Sequence, residues 1–289
     1  MRMAVVVFAL AALGGALACS DKVDAGTFNG SINGSCNRAR AITVEEHAGA
    51  AMNDKSLALT FDDGPSEATI ELSAFLKAEG ISATFFVNGT HIEGREAVLD
   101  QQLADGHLLG NHTHTHAALT TLSHADVVTE VTETDRLLAG RVAADKLYFR
   151  PPFGDWNEAV ATALSGSAMK KYRGPVGWDV GDSLTEDSAA DWDCWDEQNG
   201  TRTVEECGDL YLKEIRAKKR GVVLLHDGPP GGAGIKTTSM VKYIVPILKA
   251  EGYTFARIDE VKLVPHGTPP PVSEPPGTRS GPTPPDPCD

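Results

Sequence analysis

Asp62 and Asp63 stand side by side at the end of an apolar run, Leu57–Phe61, directly before the turn pair Gly64-Pro65. About fifty residues later, Gly110-Asn111 leads into His112-Thr113-His114-Thr115-His116. One carboxylate and two imidazoles suffice for a divalent metal with positions left open for water, and the second carboxylate is then free to act as a base. His112 and His116 share a face if this segment enters a helix, and His114 then points away. Three histidines in five residues beside an apolar strand are hard to read as surface residues, whereas His91, His107 and His124 carry no such pattern. The plain alternative for Asp63-Gly64-Pro65 is turn chemistry.

Two further groups fit the same chemistry. In Phe149-Arg150-Pro151-Pro152-Phe153-Gly154 the prolines stiffen the chain after a strand. Arg150 can hold a carboxylate bidentately, or form a structural ion pair. The apolar run Val222–Leu225 delivers His226, a strand-end histidine suited to general acid work.

These residues need elements to place them. Strands are expected at Leu57–Phe61, Ala83–Val87, Leu108–Gly110, Tyr148–Arg150, Val176–Trp178, Val222–Leu225 and Thr254–Arg257. Helices are expected at Ala68–Glu79, Arg95–Asp105, His124–Leu138, Asn157–Ser165, Val204–Lys218 and Thr238–Glu251, with Gly80, Gly140 and Gly252 where C-terminal caps belong. Regular alternation predicts an α/β fold with parallel strands, and about seven units suggest a barrel. Functional groups then gather at the C-terminal strand ends.

The chain divides into a leader at 1–18, a polar arm at 19–54, the α/β domain at 55–264 and a Pro-rich, flexible tail at 265–289. Met1-Arg2-Met3, the apolar Ala4–Leu13 and the small residues Ala16-Leu17-Ala18 make a secretory signal. Ala-Leu-Ala-Cys resembles the bacterial lipoprotein signal, with Ala16 where that signal has Leu. The expectation is therefore a chain secreted, periplasmic or lipid-anchored through Cys19 at the cell envelope. An even set of Cys36, Cys194, Cys207 and Cys288 in an exported chain favours disulfides. Cys194–Cys207 closes a local loop and Cys36–Cys288 ties the ends; two other pairings are equally allowed. Net charge is −14, which does not suit nucleic acid. The basic cluster Arg216–Arg220 reads as a solvated helix end.

In order, Thr-Phe-Asp-Asp-Gly at 60–64, His-Thr-x-Thr-His at 112–116, Arg-Pro-Pro-Phe at 150–153 and Leu-Leu-His-Asp at 224–227 resemble the polysaccharide deacetylases of carbohydrate esterase family 4, the NodB-homology domain. The resemblance spans roughly residues 55–260 and implies a distorted (β/α) barrel. It also implies hydrolysis of N-acetyl groups on a hexosamine polymer: chitin oligomers, peptidoglycan or an exopolysaccharide. Carried over, Asp63, His112 and His116 bind the metal, Zn2+ or alternatively Co2+ or another transition metal. Asp62 is the base, Arg150 holds it, and His226 is the acid. The Phe153 backbone N–H meets the oxyanion, and Trp192 and Leu224 form apolar walls. The family's Asp-Trp pair, whose Asp orients the catalytic His, is matched best by Asp191-Trp192, displaced here by an acidic insertion. Asp179 and Asp182 are alternatives for that role. The insertion from Gly181 to Ala190 and the Gly231–Gly234 loop are the expected determinants of substrate choice. The partner is the glycan, the expected state a monomer, and any membrane contact runs through Cys19. Acetylxylan O-acetyl esterase activity uses the same machinery. An inactive carbohydrate-binding module predicts loss of one of these residues, and none is lost.

Overall fold

The computed structural model of the protein describes residues 42–197, 201–229 and 232–267. The leader, Cys19, the Cys36–Cys288 pairing, Gly231 and nearly all of the Pro-rich tail lie outside the described residues. The elements in chain order are β1 (Ile42–Ala48), β2 (Ser56–Gly64), α1 (Thr69–Ala78), β3 (Thr84–Val87), α2 (Gly89–Ile92), α3 (Glu96–Ala104), β4 (Leu108–Asn111), α4 (His124–Leu138) and α5 (Glu158–Ser165). There follow β5 (Gly174–Val176), α6 (Asp191–Cys194), α7 (Val204–Lys218), β6 (Gly221–His226), α8 (Ala233–Ala250), β7 (Thr254–Phe255) and β8 (Val264–Pro265).

The main sheet is parallel and runs β4-β3-β2-β6, with β7 against the start of β2. Side chains on a strand alternate between faces. In β2, Leu57, Leu59 and Phe61 face the helix layer, where they pack with Leu72 and Leu76 of α1, Ile215 of α7 and Met240 and Val241 of α8. The inward partners Ala58, Phe86, Tyr148, Val176 and Val222 fill the barrel. Both faces are covered, so β2 reads as a continuous buried run. The inward parity of Ala58 and Thr60 continues to Asp62 and brings it to the mouth.

The barrel continues beyond β4 by single bridges, Asn111 with Phe149 and Tyr148 with Arg173. It then reaches β5, which lies parallel to β1, and β1 pairs antiparallel with β8. Between the end of β1 and β6, a side chain joins the backbone: Asp179 Oδ2 accepts from Gly49 N at 2.7 Å and Val222 N at 2.8 Å. Asp179 thus belongs to the barrel seam and does not orient His226.

The fold is the expected α/β distorted barrel, with five parallel strands in its main sheet. The predicted strand at Tyr148–Arg150 shrinks to isolated bridges, because Pro151 and Pro152 offer no N–H to extend a ladder. The polar arm gives way at Ile42, where β1 begins; its partners lie more than a hundred residues away, out of reach of local pattern. Val264–Pro265, read as the domain's last residue and the tail's first, form β8. Gly80, Gly140 and Gly252 all take left-handed backbone just past helix ends. α8 starts five residues before the expected Thr238, since the glycines at 232 and 234 argue for a loop. No helix among the described residues is long and apolar enough to cross a membrane.

Candidate active site

Asp62 and Asp63 follow one another on an extended strand, yet both reach one site. The cause is a bulge. β2 places Asp62 opposite Phe86 and Gly64 opposite Val87, leaving Asp63 without a partner. Asp63 takes φ of 70°, a left-handed conformation that Asp tolerates better than most residues.

The segment His112–His116 does not enter a helix. Thr113 and His116 have φ of 68° and 61°, and these two left-handed residues curl the loop so that both imidazoles turn back to Asp63. Asp63 Oδ1 lies 3.4 Å from His112 Nε2 and 3.1 Å from His116 Nε2. The three ligand atoms lie within 4.8 Å of one another. Asp63 Oδ1 is buried and makes no hydrogen bond. His112 Nδ1 donates to the Arg150 carbonyl at 2.8 Å, which leaves the Nε2 lone pair facing the cluster. An orphaned carboxylate oxygen facing imidazole nitrogens is a donor set that fits a divalent transition metal. Burial pushes the Asp63 carboxyl up, but His112 and His116 outweigh it and hold it well below the usual range. His114 has no part in the cluster; its ring abuts Gly89, and Nδ1 has no partner.

Asp62 is held from beneath. Arg150 Nη1 donates to Asp62 Oδ1 at 2.8 Å and to Thr60 Oγ1 at 2.8 Å. Its Nε and Nη2 donate to the carbonyls of Val176 and Gly177. The guanidinium is fully buried and lies 4.3 Å from the Phe86 ring centroid. Asp62 Oδ2 is left facing His112 Nε2 at 3.7 Å.

Across the mouth, His226 stands opposite Asp62 in the β2–β6 register. Its Nδ1 lies 2.8 Å from Asp191 Oδ1, and its backbone N donates to Asp191 Oδ2 at 2.8 Å. Burial lowers the His226 pKa, but Asp191 reverses this and lifts it to about 9. Asp191 opens α6 and is itself fixed: Thr237 Oγ1 donates to Oδ2 at 2.8 Å, and Tyr211 Oη accepts from its backbone N at 3.0 Å. A disulfide, Cys194–Cys207, ties α6 to α7. Asp182 lines the same cavity but is engaged elsewhere, accepting from the Trp178 indole at 3.1 Å.

These groups open on a cavity of about 510 Å3, also walled by Phe153, Trp178, Trp192 and Trp195. Trp192 is 52 % and Phe153 69 % exposed. Leu224 lies deeper than Trp192 and Phe153. It faces inward one layer below His226, is 4 % exposed, and sits under Gly181. Asp227 was overlooked because its neighbour His226 drew the chemical reading. It is fully buried, accepts from Thr69 Oγ1 and has an unpartnered Oδ1; burial raises its carboxyl to about 7. Thr237 and Glu130 also escaped, since a single Thr or Glu in a helix carries no local signal.

The family model for polysaccharide deacetylase matches residues 49–171. Over 221 residues the chain is 27 % identical to a chitooligosaccharide deacetylase of Rhizobium leguminosarum bv. trifolii, covering 73 % of this chain and 94 % of that one. Over 215 residues it is 30 % identical to a peptidoglycan-N-acetylglucosamine deacetylase of Bacillus cereus, covering 74 % and 91 %. The solved structure of Bacillus subtilis PdaA, a family 4 carbohydrate esterase, superposes with a TM-score of 0.58 at 24 % identity, covering 75 % and 84 %. The chain belongs to the polysaccharide deacetylase family.

Proposed function

We propose that this protein is an exported, metal-dependent deacetylase that hydrolyses N-acetyl groups of hexosamine glycans and releases acetate. The observation that carries the reading is the convergence on one cavity of three separate units: Asp62 on Arg150, Asp63 with His112 and His116, and His226 on Asp191. An amide needs electrophilic activation, a base and an acid, and each unit supplies one.

A divalent cation such as Zn2+, held by Asp63, His112 and His116, supplies Lewis-acid activation of carbonyl and water when bound. Asp62 accepts the proton of the attacking water on Oδ2, its other oxygen being tied to Arg150. The oxygen of that water joins the acetyl carbon. The carbonyl oxygen takes on negative charge and is met by the Phe153 backbone N–H. The C–N bond then breaks, and His226 Nε2 gives its proton to the departing amine while Nδ1 stays on Asp191. Acetate and a free amino sugar result. Trp192 and Phe153 offer exposed ring faces for the sugar.

Export is supported by the leader at 1–18 and by the Cys194–Cys207 bridge. The test is acetate release by metal-loaded and chelator-treated protein from chitin oligomers, peptidoglycan and acetylxylan in parallel. Metal-dependent release from an N-acetylated glycan is the expected result. Release from acetylxylan alone would make it an O-acetyl esterase, and no release with metal bound would leave a binding module.

A further inference from the structure

The loop that carries His112 and His116 has no regular structure to hold it. It contains two non-glycine residues, Thr113 and His116, in left-handed backbone, and such residues persist only where their surroundings over-determine them. The loop's own hydrogen bonds explain its first half. Thr113 N donates to Asn111 Oδ1 at 2.9 Å, and Asn88 Nδ2 donates to the His112 carbonyl at 2.6 Å. Between the two imidazoles, the backbone N–H groups of Gly89 and Thr90 donate to the Thr113 and His114 carbonyls at 3.0 Å each, and one side chain takes up the N–H groups of the same stretch. Glu130 Oε2 accepts from His114 N at 3.0 Å and from Thr115 N at 2.8 Å, and Oε1 accepts from Thr115 Oγ1 at 2.7 Å.

Glu130 sits on α4, whose buried Val127, Val131 and Thr134 anchor it in the fold. Asn111 Nδ2 also donates to the Val131 carbonyl at 2.9 Å. α4 is therefore a rigid support that touches the histidine loop at both ends of its curl. A carboxylate receiving two backbone N–H groups and a hydroxyl makes charge-assisted bonds, about twice as strong as neutral ones. Groups bonded directly to metal ligands fix their orientation, and their loss costs roughly 10–100-fold in metal affinity; Glu130 acts one step further out, on the backbone that carries His116.

We propose that Glu130 is a positioning residue for the metal site, clamping the 113–116 curl so that His116 meets Asp63 and His112 without being drawn in by the metal. This rests on the metal reading of Asp63, His112 and His116. Glu130 touches none of the three and enters no chemical step.

The experiment measures zinc affinity directly, by competition against a chromogenic chelator, on wild type, Glu130→Ala, Glu130→Asp, Glu130→Gln and the neighbouring surface control Glu133→Gln. Circular dichroism of the chelator-treated proteins reports the fold. Glu130→Ala is expected to bind zinc about 10-fold more weakly, the low end of that range, with the fold retained. Glu130→Asp, one methylene short of the loop, falls in the same direction. Glu130→Gln keeps an acceptor of the same reach and recovers most of the affinity, and Glu133→Gln matches wild type. Wild-type affinity in Glu130→Ala overturns the proposal; if that variant does not fold, wild-type affinity in Glu130→Asp overturns it. A wild-type chain that takes up no zinc fails differently: it removes the metal reading itself and this inference with it.

Discussion

Asp191 grips His226 at two points, one oxygen 2.8 Å from Nδ1 and the other 2.8 Å from the backbone nitrogen of the same residue. The imidazole can therefore neither rotate nor change tautomer without breaking a bond to a buried carboxylate. Thr237 and the Trp192 backbone N–H hold that carboxylate in turn.

Asp191→Asn is expected to lower kcat by roughly 10²-fold, within the range that general acid catalysis contributes. The charge that lifts His226 to about 9 is lost, so the alkaline limb of the pH–rate profile should move to lower pH. An unchanged profile would mean that another group donates the proton.

Asp62→Asn and His116→Ala should separate base from ligand. The first is expected to abolish turnover and keep stoichiometric metal. The second should lose metal and activity together, because His116 Nε2 is one of three converging ligand atoms. Elemental analysis beside an acetate assay reads both. Full metal in His116→Ala would contradict the ligand set, and full activity in Asp62→Asn would remove the base.

Arg150→Met tests the buried pair. The guanidinium is 0 % exposed, and four donor contacts satisfy it. Its removal leaves the Asp62 charge and the Val176 and Gly177 carbonyls without this donor, while Thr60 keeps its bond to the Val223 carbonyl. Loss of one member of a buried pair costs about 3–5 kcal/mol, to be seen as a lower urea midpoint. A midpoint within error of wild type would show that the pair does not support the fold.

Asp227 gives a pH prediction. Burial raises its carboxyl from 3.8 to about 7, so the folded protein binds the proton more tightly than the unfolded chain. Its contribution is fully present below about pH 4 and lost as pH rises to about 7. Asp227→Asn should remove this slope and be more stable than wild type at pH 8, in melts run with chelator. Parallel wild-type and variant curves across that window would show that Asp227 ionises without cost.

The chemistry was more legible in the sequence than the means of assembling it. Asp62, Asp63, His112, His116, Arg150 and His226 stand out because ionisable residues at strand ends are conspicuous, and the fold brings them to one mouth. A shared face for His112 and His116 was conditional on a helix at 112–116, which does not form. Two left-handed residues achieve the same convergence, and a sequence of Thr and His gives no sign of them. Leu224 was placed in the wall by its motif, and strand parity from His226 puts it one layer down. Among three aspartates, only the fold could assign Asp179 to the seam, Asp182 to Trp178 and Asp191 to His226. Thr237 and Glu130 act across long sequence separations and leave no periodic trace.

The Cys194–Cys207 bridge lies on the acid side of the cavity. It fastens α6, which carries Asp191 and Trp192, whereas the proposed ligands Asp63, His112 and His116 hang from β2 and from the loop before α4. Material produced in a reducing host would therefore be damaged on one side only. On the proposed reading, such a preparation is expected to fill its metal site and still turn over slowly, so metal content would overstate its active fraction. Titrating the active fraction by thiol count, not by zinc, is the assay this architecture calls for.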